Sequence, residues 1–183
     1  MLPLDDSDEE RVRRAQAGDR NAFSELVRRH QDRVYRYLLR MLGSHDDALE
    51  LTQDAFVKAW QALPQWRPEA QFRTWLFRIA NNTALDALRL RKLVSFVPLE
   101  DEFDAPGSDP SPERQVQAAQ EVRQLEASLL RLAPEHREVL MLREVEEMSY
   151  EEIGRVLSLN AGTVKSRLAR ARAALIEIHP RSR

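Results

Sequence analysis

With 183 residues and 43% apolar content, the chain is long enough for one large or two small domains with real cores. It has no cysteine, which excludes disulfides, thiolate metal sites and cysteine-based redox sensing, and makes the reducing cytoplasm its natural compartment. The formal charge of −2 conceals an asymmetry: acidic runs lie near the N-terminus and mid-chain, while the C-terminal end is basic.

Nine prolines, five glycines and little β-branched alternation point to helices. The opening MLPLDDSDEERVRR is too polar for a signal peptide, and no apolar run approaches the roughly 18 residues of a membrane span. A soluble, cytoplasmic protein without membrane insertion is expected. After a frayed start at 1–8, a short helix from Glu9 to Ala17 ends at Gly18, and Asp19 can cap the next segment. From Asn21 to Leu42, apolar Phe23, Leu26, Val27, Val34, Leu38, Met41 and Leu42 follow helical spacing, and Gly43 closes the helix. Arg28, Arg29, Arg33, Arg36 and Arg40 take the other side, read as a solvated face.

Ser44 reopens the pattern as an N-cap before HDDALELTQDAFVKAWQAL. Ala48, Leu51, Ala55, Phe56, Ala59 and Leu63 can face a core, while Asp46, Asp47, Glu50, Gln53 and Asp54 point outward. Acids early in a helix complement its dipole. No histidine joins them at ligand spacing, so no metal site is expected.

Pro64 and Pro68 then bracket Trp66, which is either a core plug or an exposed stacking residue. The next helix, Phe72 to Lys92, has an apolar side of Trp75, Leu76, Ile79, Thr83, Leu85 and Leu88 and a rim of Arg73, Arg78, Arg89, Arg91 and Lys92. Aromatics among cations and amides suit single-strand binding, because bases stack on rings while cations track phosphates. A plain aromatic core with a basic rim competes with that reading.

From Leu93 to Glu113 the chain carries four prolines, Gly107, six acidic residues and no lysine or arginine, the composition of a self-repelling flexible linker. Helix returns over 114–131 with Val116, Ala119, Val122, Leu125, Leu129 and Leu130 apolar. Pro134 begins another helix, in which Val139, Leu140, Leu142 and Val145 are apolar.

The last part reads as a helix-turn-helix. Ser149 and Glu152 have capping-box spacing, Ile153, Val156 and Leu157 form one stripe, and Gly154 leaves room for a close helix crossing. Asn160 caps a second helix that buries Val164, Leu168, Ala171 and Leu175. Its opposite face offers Gly162, Lys165, Ser166, Ala169, Arg170 and Ala173, with Arg167 and Arg172 on the flanks. Small side chains let a helix sit deep in a major groove, and cations reach base edges or phosphates. A solvated basic face on an ordinary helical hairpin is the competing reading.

An all-α chain of two small helical domains, 1–93 and 114–183, joined by an acidic linker at 94–113, resembles the extracytoplasmic-function (ECF) group of bacterial RNA polymerase sigma factors. The likeness rests on AFSELVRRHQDRVYRYLLRML, DDALELTQDAFVKAWQAL, FRTWLFRIANNTALDALR, LAPEHREVLMLREVEEMSYEEIGRVL and GTVKSRLARARAAL in that order. It implies a sigma-2-like domain, a sigma-4-like domain and a dissociable initiation subunit rather than an enzyme. Asp47, Leu51, Gln53, Asp54 and Phe56 would dock on core RNA polymerase at the beta-prime clamp coiled coil, with the beta flap as a second contact. Trp66, Arg73, Trp75, Arg78, Ile79 and Asn82 would read and help melt the minus-10 element of promoter DNA. Lys165, Ser166 and Ala169 would read minus-35 bases, with Arg167, Arg170 and Arg172 on phosphates. The linker would lie in the path of nascent RNA. An anti-sigma factor is an expected partner, and neither a cofactor nor a metal is implied.

A conventional helix-turn-helix regulator is the first rival, but it would need neither the 72–92 helix nor the acidic helix before it. An enzyme acting on nucleic acid is the second. His30, His45, His136 and His179 are scattered, and no glycine-rich phosphate loop is present.

Overall fold

The computed structural model describes residues 7–94 and 112–179, and among them helices are joined by short turns with no strand. The first domain comprises α1 (Asp8–Gln16), α2 (Arg20–Leu42), α3 (His45–Ala62), a 3₁₀ turn (Leu63–Gln65) and α4 (Phe72–Val94). Each of the first three starts follows from a local cap: Ser7 Oγ accepts from Glu10 N, Asp19 from the Asn21 and Ala22 amides, and Ser44 Oγ from Asp47 N. Gly43 ends α2 at φ +71°, in the left-handed region that favours glycine.

The core of this domain gathers Leu26, Leu38 and Met41 of α2, Phe72, Leu76 and Phe77 of α4, and Tyr37 edge-on to Phe77 at 5.3 Å. Trp66 is 5% exposed and is therefore the core plug of the two sequence readings. Gln16 Nε2 fastens its loop by donating to the Leu63 and Trp66 carbonyls. Along α4 the buried row is Phe72, Leu76, Phe77, Ala80, Thr83 and Ala84, while Trp75, Ile79, Leu85 and Leu88 are only half-buried. The row differs from the predicted one because α2 and α3 cover one side of α4 and a later helix covers another.

The second domain comprises α5 (Pro112–Arg131), α6 (Pro134–Leu140), a π turn (Met141–Val145), α7 (Tyr150–Leu157) and α8 (Ala161–Ile178). Val139, Leu140, Met141, Leu142, Met148, Ile153, Val156, Val164, Leu168 and Ala171 form its core. Val145 is exposed, because the π turn rotates it away from the row that Val139 and Leu142 occupy. Val122 and Leu125 of α5 are exposed too, whereas Ser128 and Leu129 near its C-terminal end, and Leu132 just past it, are buried. The proposed linker falls mostly outside the described residues: α4 runs through Val94 and α5 begins at Pro112.

Arg137 is the polar centre of the second domain. Its Nε donates to the Leu129 carbonyl at 2.9 Å and its Nη2 to Leu130 at 2.6 Å and Leu132 at 3.0 Å, while Nη1 reaches the Met41 carbonyl at the end of α2. A cation so placed meets the negative end of α5's dipole. Burial lowers its pKa to about 10.

The domains dock on each other, with α7 along α4 and α5 and α6 against α2. Consequently the arginine row of α2 is not simply solvated. Arg33 Nε donates to Glu146 at 3.1 Å, and Arg40 lies 3.7 Å from Glu126.

Candidate nucleic-acid interface

The helix-turn-helix is built by local bonds. Glu152 N donates to Ser149 Oγ at 3.1 Å and Ser149 N to Glu152 Oε2 at 2.8 Å, closing the capping box of α7. Ser158 turns the chain at φ 58°, and Leu159 N returns to the Gly154 carbonyl at 2.8 Å. A Cβ on Gly154 would lie 2.5 Å from the Leu159 carbonyl oxygen, so this glycine makes room for the turn rather than for the crossing helix expected from sequence. Asn160 Oδ1 accepts from Thr163 N at 2.8 Å and starts α8.

Burial of Val164, Leu168 and Ala171 fixes the rotation of α8, and Lys165, Ser166, Ala169 and Arg170 are all exposed. Arg167 sits half-buried on Glu138 at 3.0 Å, and exposed Arg172 pairs with Glu144 at 2.6 Å. Four of the six predicted minus-35 residues thus make one open face of small and cationic groups. The other two are positioned on its flanks by carboxylates.

On α4, Trp75, Arg78, Ile79 and Asn82 follow i, i+3, i+4 and i+7 spacing and form one accessible strip, in which Arg78 and Asn82 are exposed. Trp75 leans on Phe72 at 5.6 Å and, with Arg78, lines a cleft whose far wall is Gly154, Arg155 and Ser158 of α7. Arg73 lies under the second domain, donating to the Glu146 carbonyl at 3.3 Å and standing 3.6 Å from Glu152. Trp66, as the core plug, is outside the strip.

On α3, Gln53 is exposed, Asp54 pairs with Lys58 at 2.7 Å, Asp47 pairs with Arg91, and Leu51 is half-buried. Phe56 is 7% exposed and belongs to the core. A stripe that sequence reasoning missed runs beside them: Leu49 at 46%, Val57 at 52% and Trp60 at 38% exposure, with Gln53 between. Trp60 rests on Phe23 at 4.8 Å, which holds its ring in place. The i, i+4, i+8, i+11 spacing was the available signal.

Residues 26–93 match the Sigma-70 region 2 family and residues 122–175 the Sigma-70, region 4 family. The ECF RNA polymerase sigma factor SigW of Bacillus subtilis is 31% identical over 175 residues, covering 90% of this chain and 92% of SigW. The chain belongs to the ECF sigma factors. SigE of Mycolicibacterium smegmatis is 39% identical over 155 residues, 84% of this chain, and the match spans 60% of SigE's own length. Among solved structures, the sigma factor RpoE in complex with the anti-sigma factor NepR from Bartonella quintana superposes with a TM-score of 0.71 at 25% identity, covering 88% of this chain and 98% of that one. Sigma factors are transcription initiation factors rather than catalysts, and as one of them the chain serves promoter-specific transcription initiation. Among the described residues of this sigma factor no group of acids and histidines could hold a metal, and no helix is long and apolar enough to cross a membrane.

Proposed function

We propose that the chain docks on core RNA polymerase through α3, reads an upstream duplex element with α8 and takes the unpaired strand of a downstream element on α4. The exposed, cationic and small-residue face of α8, set by the burial of Val164, Leu168 and Ala171, is the observation that carries the reading. Lys165, Ser166, Ala169 and Arg170 meet the duplex, with Arg167 and Arg172 beside the phosphates. Trp75, Arg78, Ile79 and Asn82 meet the strand, joined by Arg73 once its present partners release it, and Trp66 supports the loop from within.

For the polymerase contact, Gln53 and Asp54 are surface groups suited to a partner, and Leu49, Val57 and Trp60 supply the apolar area that buried Phe56 cannot. Asp47 and Leu51 border this stripe. Two weak grips tethered on one polymerase act bivalently, so element spacing adds specificity. Melting draws on binding energy, because each captured base must offset a few kcal/mol of lost stacking and pairing. No nucleotide hydrolysis or cofactor is required. The work is cytoplasmic, and an anti-sigma factor is a further partner, as NepR is for the Bartonella relative.

The test is reconstitution with bacterial core polymerase on a genomic promoter library, with transcript starts mapped. Asp54→Arg is expected to weaken polymerase binding. Lys165→Ala leaves that binding intact but weakens use of the upstream element by about 1–3 kcal/mol, roughly 5- to 150-fold. Equal loss of core affinity in both variants contradicts this division of labour.

A further inference from the structure

Where the two domains meet, three arginines of the first face carboxylates of the second: Arg33 on Glu146, Arg40 near Glu126 and Arg73 near Glu152. Two others are different. Among the described residues, Arg78 of α4 and Arg155 of α7 meet no carboxylate or carbonyl, and both are exposed. They line one cleft of about 370 Å³, a volume within the range of small-molecule sites. The indole of Trp75 forms part of its wall and is steadied by Phe72 at 5.6 Å. Glu69 is the only carboxylate among the lining residues and pairs with neither arginine. Thr74, whose hydroxyl already donates to Glu152, and Ser158 complete the polar lining.

Each kind of group selects one part of a ligand. Two guanidiniums without a counter-ion repel each other and suit a shared anion, and their planar forks match phosphate oxygens. An indole face takes an aromatic ring, and a purine covers more of it than a smaller ring does. A carboxylate beside such a pair accepts from ribose hydroxyls. Inorganic phosphate alone leaves Trp75 and Glu69 unused, and a neutral aromatic leaves both arginines unused. We infer that this cleft binds a purine ribonucleoside 5′-phosphate, with the base on Trp75, the phosphate between Arg78 and Arg155, and the ribose hydroxyls towards Glu69. Such a ligand touches α4 and α7 together, so it favours the arrangement in which both walls are present. Trp75 and Arg78 are also the residues given above to the downstream strand, so nucleotide and strand exclude each other. That exclusion rests on the assignment of α4 to the strand; the binding of the nucleotide does not.

The probes are adenosine 5′-monophosphate (AMP), its 2′-deoxy form, adenosine, inorganic phosphate and a random-sequence single-stranded DNA, each titrated into the full chain by calorimetry. AMP is expected to bind saturably at millimolar concentration or below, and adenosine and phosphate each at least tenfold more weakly. Arg155→Ala and Arg78→Ala should each weaken AMP binding by about tenfold or more. The two residues are exposed and lie on different helices in different domains, so misfolding of one variant, seen as lost helicity, leaves the other informative. Arg28→Ala removes an exposed charge of α2 outside the cleft and should leave AMP binding unchanged. Glu69→Gln should narrow the preference for AMP over the deoxynucleotide. AMP should also raise the Tm of the parent chain but not that of the Arg155 variant. No saturable AMP binding, equal losses in the Arg28 and Arg155 variants, or a loss in the Arg78 variant alone overturns the inference. The single-stranded DNA separates this site from the strand assignment. If AMP behaves as expected while strand binding ignores Arg78, the cleft stands and α4 loses the strand. If strand binding needs Arg78 and AMP does not bind, the strand assignment stands and the nucleotide site falls.

Discussion

Replacing Gly154 by alanine sets two effects of opposite sign against each other. Alanine is favoured over glycine within a helix by about 1 kcal/mol, so propensity alone forecasts a gain. The new Cβ, however, would lie 2.5 Å from the Leu159 carbonyl oxygen, well inside contact distance. That oxygen is backbone, in a turn closed by the Leu159 N to Gly154 carbonyl bond at 2.8 Å on one side and by the Asn160 cap of α8 on the other. Relief requires the turn to move, at about 1–3 kcal/mol for the overpacking and about 1 kcal/mol if the bond is lost. The net expectation is a destabilisation of about 2 kcal/mol, or a Tm lower by roughly 4–8 °C for a chain of this size. Gly162→Ala is the control. Its Cβ would meet only Asn160 Oδ1, at 3.4 Å, so the Tm should hold or rise slightly. Differential scanning calorimetry on both variants decides, and a Gly154→Ala protein as stable as its parent refutes the clash. A tilted α8 should also weaken duplex binding in the Gly154 variant alone.

Val57→Asp should reduce affinity for core polymerase about tenfold or more at unchanged Tm, as read by fluorescence anisotropy, because the side chain is exposed and lies mid-stripe. Phe56→Ala should instead lose about 3–5 kcal/mol of stability through a core cavity, and retention of full stability would return Phe56 to the surface. Acidification should act in two stages. Burial raises the carboxyls of Glu126, Glu138 and Glu146 above 4.5 despite the arginines beside them, so the folded chain takes up protons more readily than the unfolded one and gains stability as pH falls from 7 towards about 5. Asp8 and Glu152 are partly desolvated, yet His30 and the bonds from Ser149, respectively, hold them below their ordinary values, and Arg14 does the same for Asp19. What these three contribute is present above about pH 4 and lost below it. A thermal midpoint that declines steadily from pH 7 would contradict this order.

Local chemistry was legible in the sequence. The caps at Asp19, Ser44, Ser149 with Glu152, and Asn160 each need only neighbours within three residues, and each sits at a helix start in the structure. The buried row of α8 was legible for a related reason, since Val164, Leu168 and Ala171 share one face and the opposite one is polar. On α3 spacing set Phe56 with Ala48, Leu51, Ala55, Ala59 and Leu63 on the core side, which is where the structure has it, and only the family resemblance drew it to the polymerase face. The Leu49–Val57–Trp60 stripe, exposed beside them, was not picked out. The docking of the domains left no periodic trace at all. Arg33 and Glu146 are 113 positions apart, and Asn81 and Glu138 are 57, so Arg33 read alone looked like part of a solvated face and the amides of α4 like groups for a single strand. Trp66 shows the converse, an ambiguous loop residue resolved only by the helices that close over it.

Arg137 bears on how the two halves come apart. The carbonyls of Leu129, Leu130 and Leu132 lie in its own half of the molecule, and only that of Met41 lies in the other. Separation strips a single acceptor from the guanidinium, one that water can replace, and leaves the other three in place. The C-terminal half can therefore swing away as an intact body, like a door whose hinge pin travels with it.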